Sequence, residues 1–282
     1  MKKILLITIT LFCVVATAQK KAKIKGNKNV ISEERTFDFF SSIELNDKIK
    51  LNLKQSESSK LVIEADENLH DVVDSDIENG TLVLSLNKRI TGSKRFILTL
   101  YIEDLDVIKL HDDSEILSDE KFEFFDLNMI LNDKSDVEMH IDAQFFRLES
   151  NEKSRGSVTV KADSISIHMK ESSKIKYTIN TQKLLVNYEG SSTGEFVGKT
   201  SDLVLVASDN ATFKGSELEA KEITLTGSNG TNSYVHAKNN LALTLKNKSK
   251  VYIFGSPLIE IKSFEDASSI FKRESMRLLE KL

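Results

Sequence analysis

Four acidic side chains return at a near-constant interval in this chain: Asp112, Asp133, Glu152 and Glu171. Each stands two residues before a serine, at Ser114, Ser135, Ser154 and Ser173, and the steps from Ser135 onward are nineteen residues long. Carboxylates repeated in this way suggest two chemistries. Stacked above one another, their oxygens form a strip suited to a hard cation such as calcium, which takes several oxygen ligands. Facing each other across a sugar-sized cleft, two acids perform glycoside hydrolysis. Lys134 and Lys153 sit beside the acids, and the glycine-rich calcium repeat GGxGxD is absent. With 43 acidic residues in the chain, some pair is always close, and no motif singles one out. A solvated charged face is the reading these residues favour. Asp112, Asp133, Glu152 and Glu171 stand as cation-strip candidates, with no catalytic residue and no cofactor assigned.

Other chemistries find less support. His70, His111, His140, His168 and His236 fall at unrelated places in the repeat, so neither a metal site nor a Ser-His-Asp arrangement is indicated. No P-loop or dinucleotide fingerprint occurs. The Asn-x-Ser/Thr triplets at Asn79, Asn210, Asn229 and Asn247 read as turn residues in a chain rich in Asn, Ser and Thr.

The elements that carry these residues come from the repeat itself. Ser114, Ser135, Ser154, Ser173, Ser192 and Ala211 form a series that continues near Gly230 or Thr231, at Ser249 and near Ala267. Six positions before each small residue stand Ile108, Met129, Leu148, Ile167, Val186 and Leu205. Two positions after come Ile116, Val137, Ile175, Phe213 and Val251, with Gly156 and Gly194 as exceptions. Alternation within a unit marks strands with one buried face, and like residues between units mark stacking. An antiparallel meander or barrel would require Asn-Gly or Asp-Gly at each reversal. Those dipeptides occur only at Asn79-Gly80 and Asn229-Gly230, and a membrane barrel lacks its aromatic girdles in a chain with no Trp and five Tyr. The expectation is an all-β parallel β-helix solenoid of about 19-residue coils. An isolated coil buries too little apolar surface to offset its ordering, so the coils must stack. The recurring serine then marks a tight corner, with the acid and lysine before it pointing into water.

Both ends depart from the repeat. Lys2 and Lys3, the apolar run from Ile4 to Val15 and the small residues Ala16-Thr17-Ala18 read as a cleaved signal peptide over residues 1–18. Cys13 follows Leu11 and Phe12, a poor lipoprotein site, so it reads as apolar filler. The mature chain then has no cysteine. Without Lys2 and Lys3 the net charge moves from −4 to −6, which argues against nucleic acid as a partner. Residues 19–33 read as a basic leader, solvated or touching an acidic membrane surface. Residues 34–105 hold period-two runs outside the nineteen-residue register, either wider coils or a separate capping sheet. Residues 106–270 hold the β-helix repeats. Phe271, Leu278, Leu279 and Leu282 suggest a short C-terminal helical cap over 271–282. Beyond the signal no apolar stretch is long enough for a transmembrane span.

The segments "ERTFDFFSSIELNDKIKLNLKQ", "LVIEADENLHDVV", "ENGTLVLSL" and "LTLYIEDLDVIKLHDDSEI" resemble the putative auto-transporter adhesin, head GIN domain family. The likeness runs from about Glu34 to the end of the repeats. It departs at the corners, where the family's glycine-rich "GSG"-like turns are replaced by Asp112-Asp113-Ser114 and Lys134-Ser135. The resemblance implies a secreted or surface protein with a β-helical body. The expected function is therefore an exported, non-enzymatic, adhesin-like binding protein contacting glycan or protein at the cell envelope, in the periplasm or on the cell surface. The alternatives are a periplasmic structural or envelope-assembly protein, and a carbohydrate-active enzyme on a β-helix. Oligomeric state is left open.

Overall fold

The computed structural model describes residues 21–274. The expected signal peptide lies outside the described residues. The chain is a parallel β-helix of about nine turns. From Asp136–Ser150 through Arg155–Met169, Lys174–Tyr188 and Thr193–Ala207, fifteen-residue strands alternate with four-residue corners. Each strand lies parallel on the next in a register that superposes like residues, Ile141 on Val160 on Ile179. The inward columns Met129, Leu148, Ile167, Val186 and Leu205 are buried, as the alternation requires.

The corner residues are what their conformation selects. Asp112, Asp133, Glu152, Glu171, Gly190, Asp209, Asn229, Asn247 and Asp266 all have φ between 52° and 69°. This left-handed region is tolerated best by Gly, Asn and Asp, so the aspartates and asparagines here are first a backbone choice, one that Glu152 and Glu171 adopt without that advantage. The buried serine that follows folds its hydroxyl back onto the corner. Ser135 Oγ donates to Asn132 O (2.7 Å), Ser154 to Asn151 O (2.8 Å) and Ser249 to Lys246 O (2.6 Å). Ser268, not Ala267, occupies that buried position in the last corner, and Thr231 occupies it between Ala211 and Ser249. The long first step from Ser114 to Ser135 is a bulge: the register shifts between Leu117 and Lys121, where Ser118 Oγ caps Glu120.

The corners come in two kinds. In the lower layers one peptide N–H points back, as Lys134 to Asp112 O (3.0 Å) and Lys153 to Asp133 O (2.8 Å). In the upper layers, as at Asp47-Lys48 near the base, two successive residues have positive φ, and there the N–H points forward, as Asn210 to Asn229 O (2.9 Å) and Lys248 to Asp266 O (2.8 Å). The switch falls between Gly190 and Asp209.

Residues 34–105 supply both more layers and a cap. Val107–Leu110 lies on Ser42–Leu45, which lies on Thr81–Leu84, all parallel. Likewise Glu115–Leu117 lies on Lys50–Asn52, and Leu51–Gln55 lies on Leu98–Ile102. The lowest layer therefore comes later in the chain than the one above it. Beneath it the ladder turns antiparallel. Lys60–Asp66 closes the edge of Phe96–Ile102 and is itself covered by Val30–Thr36. Val73–Glu78 closes Thr81–Leu86 through a hairpin at Asn79-Gly80, where both φ values are positive (51° and 76°). A 3-10 turn, Glu67–Val72, sets Leu69, His70 and Val72 into the end of the core. The basic leader is thus corrected over its described part: Lys23–Ile24 and Val30–Thr36 are strands, because the bottom edge needs partners.

Among the described residues no element covers the opposite end. Ile259, Ile261 and Phe264 continue the columns of Leu241, Leu243 and Leu245 but are 47%, 54% and 49% exposed. The expected helical cap is corrected at its start, since Phe271 and Lys272 belong to the strand Ser269–Lys272. Phe271 stacks on Tyr252, which stacks on Tyr234, with centroids 4.9 Å and 4.4 Å apart, and that ladder holds the segment extended. Residues 275–282 lie outside the described residues.

Candidate functional site

Two surfaces repeat with the layers and form cavities. The first is the acidic corner. A cavity of about 420 Å³ is lined by Asp112, Asp113, Asp133, Glu152 and Glu171, interleaved with Lys48, Lys134 and Lys153. The sequence thus brings its four candidates onto one strip, but two of them are already engaged. Asp112 Oδ2 accepts the N–H of Asp47 (3.0 Å), and Asp133 Oδ2 accepts the N–H of Asp112 (2.8 Å). Lys48 pairs with Asp113 and holds its carboxyl below the usual carboxylate range. Asp133, with burial and Glu171 adding, lifts the carboxyl of Glu152 above that range. Among the described residues no three His, Cys, Asp or Glu side chains converge as a metal would require. The strip is a ladder of corner-building carboxylates whose like charges are spaced by lysines.

The second surface is the other bend of each coil. Alternation breaks there once per layer: Ile141 and Phe146 point inward five residues apart, with Gln144 and Phe145 both exposed between them. The ladder breaks at the same place, passing from Ala143↔Ala162 directly to Phe145↔Ser164 and omitting Gln144 and Asp163. The same omission recurs at Gln182 and Ser201. Small residues fill the bend: Ala143, Ala162, Thr181, Thr200 and Ala220 stack one above another. The threonines take up carbonyls that the ladder leaves. Thr181 Oγ1 lies 3.1 Å from Asp163 O and 3.2 Å from Lys183 O, and Thr200 Oγ1 lies 3.3 Å from Gln182 O and 3.1 Å from Asp202 O.

The result is a groove along the rod axis, about 700 Å³ in volume. One wall is the column Asp142, Lys161, Asn180 and Lys199. The other carries Asp163, Gln182, Ser201 and Lys221. At about 4.8 Å per layer it runs roughly 20–25 Å. Its groups are amides, hydroxyls, carboxylates and ammoniums, contributed layer by layer. The signal for this groove is present in the sequence as Ala143, Ala162, Thr181 and Thr200, nineteen residues apart. It escapes notice because Ala and Thr occur everywhere in such strands.

The outward aromatic ladder of Tyr234, Tyr252 and Phe271 is not a sugar platform. Its ring faces are stacked on one another, with the guanidinium of Arg273 5.3 Å from the Tyr252 centroid. The histidines do not gather: His70 is buried in the cap with Nδ1 3.2 Å from Glu33, whereas His168 lies on the surface against Glu189.

Comparison with known proteins bears on this arrangement. A family model described as "Putative auto-transporter adhesin, head GIN domain" matches residues 39–257. Among solved structures, a "putative adhesin" from Parabacteroides distasonis ATCC 8503 is similar at 15% identity with a TM-score of 0.69. That likeness covers 89% of this chain and 100% of the other. A "putative adhesin" from Parabacteroides merdae ATCC 43184 is similar at 18% identity with a TM-score of 0.61, covering 89% and 99%. A "putative lipid binding protein" from the first organism is similar at 16% identity, with a TM-score of 0.63 over 89% and 99%. At these identities the likeness is one of fold. No curated protein matches the chain.

Proposed function

Because the chain belongs to the putative auto-transporter adhesin, head GIN domain family, we propose that it is an exported, non-enzymatic binding protein whose axial groove holds an extended glycan at the cell envelope. The observation that carries this reading is the groove itself. It is open along its length, polar-walled, floored by small residues, and presents a different hydrogen-bonding group from each layer. The layer spacing is close to the length of one sugar unit in an extended glycan, so each successive sugar meets a polar group of its own, from Asp142 through Lys161 and Asn180 to Lys199. Exposed rings stand at the lower end of the groove, where Phe125 and Phe145 meet edge to face; along the rest each sugar contributes little, and affinity accumulates with ligand length. The family supports a surface or envelope location, in keeping with the export signal read over residues 1–18. Among the described residues no helix is long and apolar enough to cross a membrane. A non-enzymatic role is supported by the family's description as an adhesin and by the openness of the groove, which leaves its carboxylates in water.

A protein partner is the second reading, and one observation favours it. Leu185, Val204 and Val206 form a contiguous patch, each about 40% exposed, on the outer face beside the groove. Calorimetric titration of the full chain with linear oligosaccharides of increasing length tests the first reading. The double variant Asn180→Ala/Lys199→Ala, both exposed wall residues, should weaken binding at least tenfold while leaving the unfolding midpoint unchanged. Affinity that ignores ligand length, or that survives the double variant, would remove the groove from consideration.

A further inference from the structure

At the N-terminal pole two stretches far apart in sequence meet. Lys23–Ile24 lies parallel on Arg89–Ile90, and the N–H of Gly26 donates to Gly92 O (2.8 Å). The wholly buried Asp66 ties them together, accepting the N–H groups of Lys28 (3.0 Å), Lys94 (3.1 Å) and Arg95 (3.1 Å). Only glycine fits at position 26, where a Cβ would stand 1.9 Å from Asp66 Oδ2.

This junction concentrates positive charge on a chain whose formal net charge is −4. Residues 21–29 and 86–95 together carry eight Lys or Arg and no acid. Lys21 pairs with Asp47 (2.5 Å) and Arg95 with Glu64 (2.9 Å). Among the described residues no carboxylate lies within 4 Å of the other six, Lys23, Lys25, Lys28, Lys88, Arg89 and Lys94, all of them exposed. Of the acids beside the junction, Asp66 is held by backbone N–H groups and Glu67 by the amides of Asn27 and Asn29, whereas Asp71, Asp74, Asp76 and Glu78 lie on the neighbouring turn and strand Val73–Glu78. Lys25, Lys28 and Lys94, with Ser93, line a cavity of about 400 Å³ floored by Gly26 and Gly92.

We propose that this pole docks on an anionic phospholipid surface, with a headgroup phosphate entering the lysine-lined cavity. Five of the six free cations are lysines, strongly hydrated point charges on flexible stems, which suit a diffuse anionic surface better than a fixed bidentate partner. Neither stretch contains an aromatic residue, so a single-stranded nucleic acid would find no stacking platform. The patch is also a blunt end rather than a track along which a polyanion could run. The proposal does not depend on what the groove binds.

The test is co-sedimentation of the full chain with phosphatidylcholine vesicles and with vesicles containing about one-third phosphatidylglycerol. Each lysine near such a surface contributes about fivefold in partitioning at low salt. The triple variant Lys25→Gln/Lys28→Gln/Lys94→Gln should therefore lose about 100-fold in binding to the anionic vesicles, and about 0.5 M salt should do the same to the parent chain. A control variant, Lys134→Gln/Lys153→Gln/Lys174→Gln, removes three lysines from the side of the rod and should bind as the parent does. Equal binding to both vesicle types would overturn the proposal, as would equal losses in the two triple variants. So would tighter binding of a single-stranded oligonucleotide than of the anionic vesicles at the same salt.

Discussion

At the scale of single residues, the exceptions to the repeat carry the most information. Gly194 interrupts a column of large apolar residues because the ring of Tyr188 fills its place: a Cβ there would lie 1.6 Å from Tyr188 Oη and 2.8 Å from Phe196 Cε2. The buried Tyr188 hydroxyl has no hydrogen-bond partner among the described residues, and burial pushes its acidity constant well above the ordinary phenol range. Gly194→Ala should cost about 1–3 kcal/mol by overpacking. Tyr188→Phe should be stabilising by about 1 kcal/mol, since it removes a buried polar atom that bonds to nothing. In the Tyr188→Phe background the alanine should cost measurably less, because the two sites are in contact. Urea unfolding of the four chains decides the matter; an identical alanine penalty in both backgrounds would mean that the glycine accommodates something other than the hydroxyl. The same logic reads the acidic column. Carboxylates at Asp112 and Asp133 stand where the backbone needs a left-handed residue, and their oxygens then cap the neighbouring layer's N–H.

At the scale of elements, the N-terminal cap is a device for ending a parallel sheet, and Asp66 is its latch. Burial alone would raise the acidity constant of this carboxyl, but the N–H groups of Lys94, Lys28 and Arg95 outweigh burial and hold it below the usual carboxylate range. A carboxyl depressed in the folded state stabilises above its unfolded value, about 3.9, and that contribution is lost as pH falls through the lower folded value. Hydrogen exchange in residues 21–29 and 88–95 should therefore accelerate below about pH 4 before the central layers respond. Asp66→Asn should make the same segments exchange faster at neutral pH and abolish their acid response. The central layers were legible in the sequence because a corner must be small and its neighbours must alternate, and nineteen residues separate like from like. The cap was not. Its strands pair out of chain order, with Thr81–Leu86 lying below Ser42–Leu45, and two-residue pairings such as Lys23–Ile24 on Arg89–Ile90 carry no periodicity. The groove was half-legible: its Ala and Thr column keeps the interval, but nothing in those residue types announces a bend.

At the scale of the whole molecule, each layer contacts only its neighbours, so the body should tolerate changes in whole units. Removing residues 155–173 joins Ser154 to Lys174, the residue that already stacks on Arg155, and brings Ile175 opposite Val137. The shortened chain should fold to a rod one layer, about 4.8 Å, shorter, with an unchanged strand signature by circular dichroism. Removing residues 155–163 deletes half a layer, turns the inward columns outward, and should leave an aggregating or protease-sensitive product. Among the described residues the two ends of this rod are unlike: antiparallel strands and a buried 3-10 turn close one, while the other ends on the exposed Ile259, Ile261 and Phe264. That asymmetry has a mechanical consequence. The ladder bonds lie along the rod, so tension between the poles loads the layers in series, and the weakest is the one with a neighbour on only one side. Under axial tension the layers at that second end would yield first, each released coil lengthening the chain by about 60 Å. A rod of this design yields by paying out line rather than by letting go.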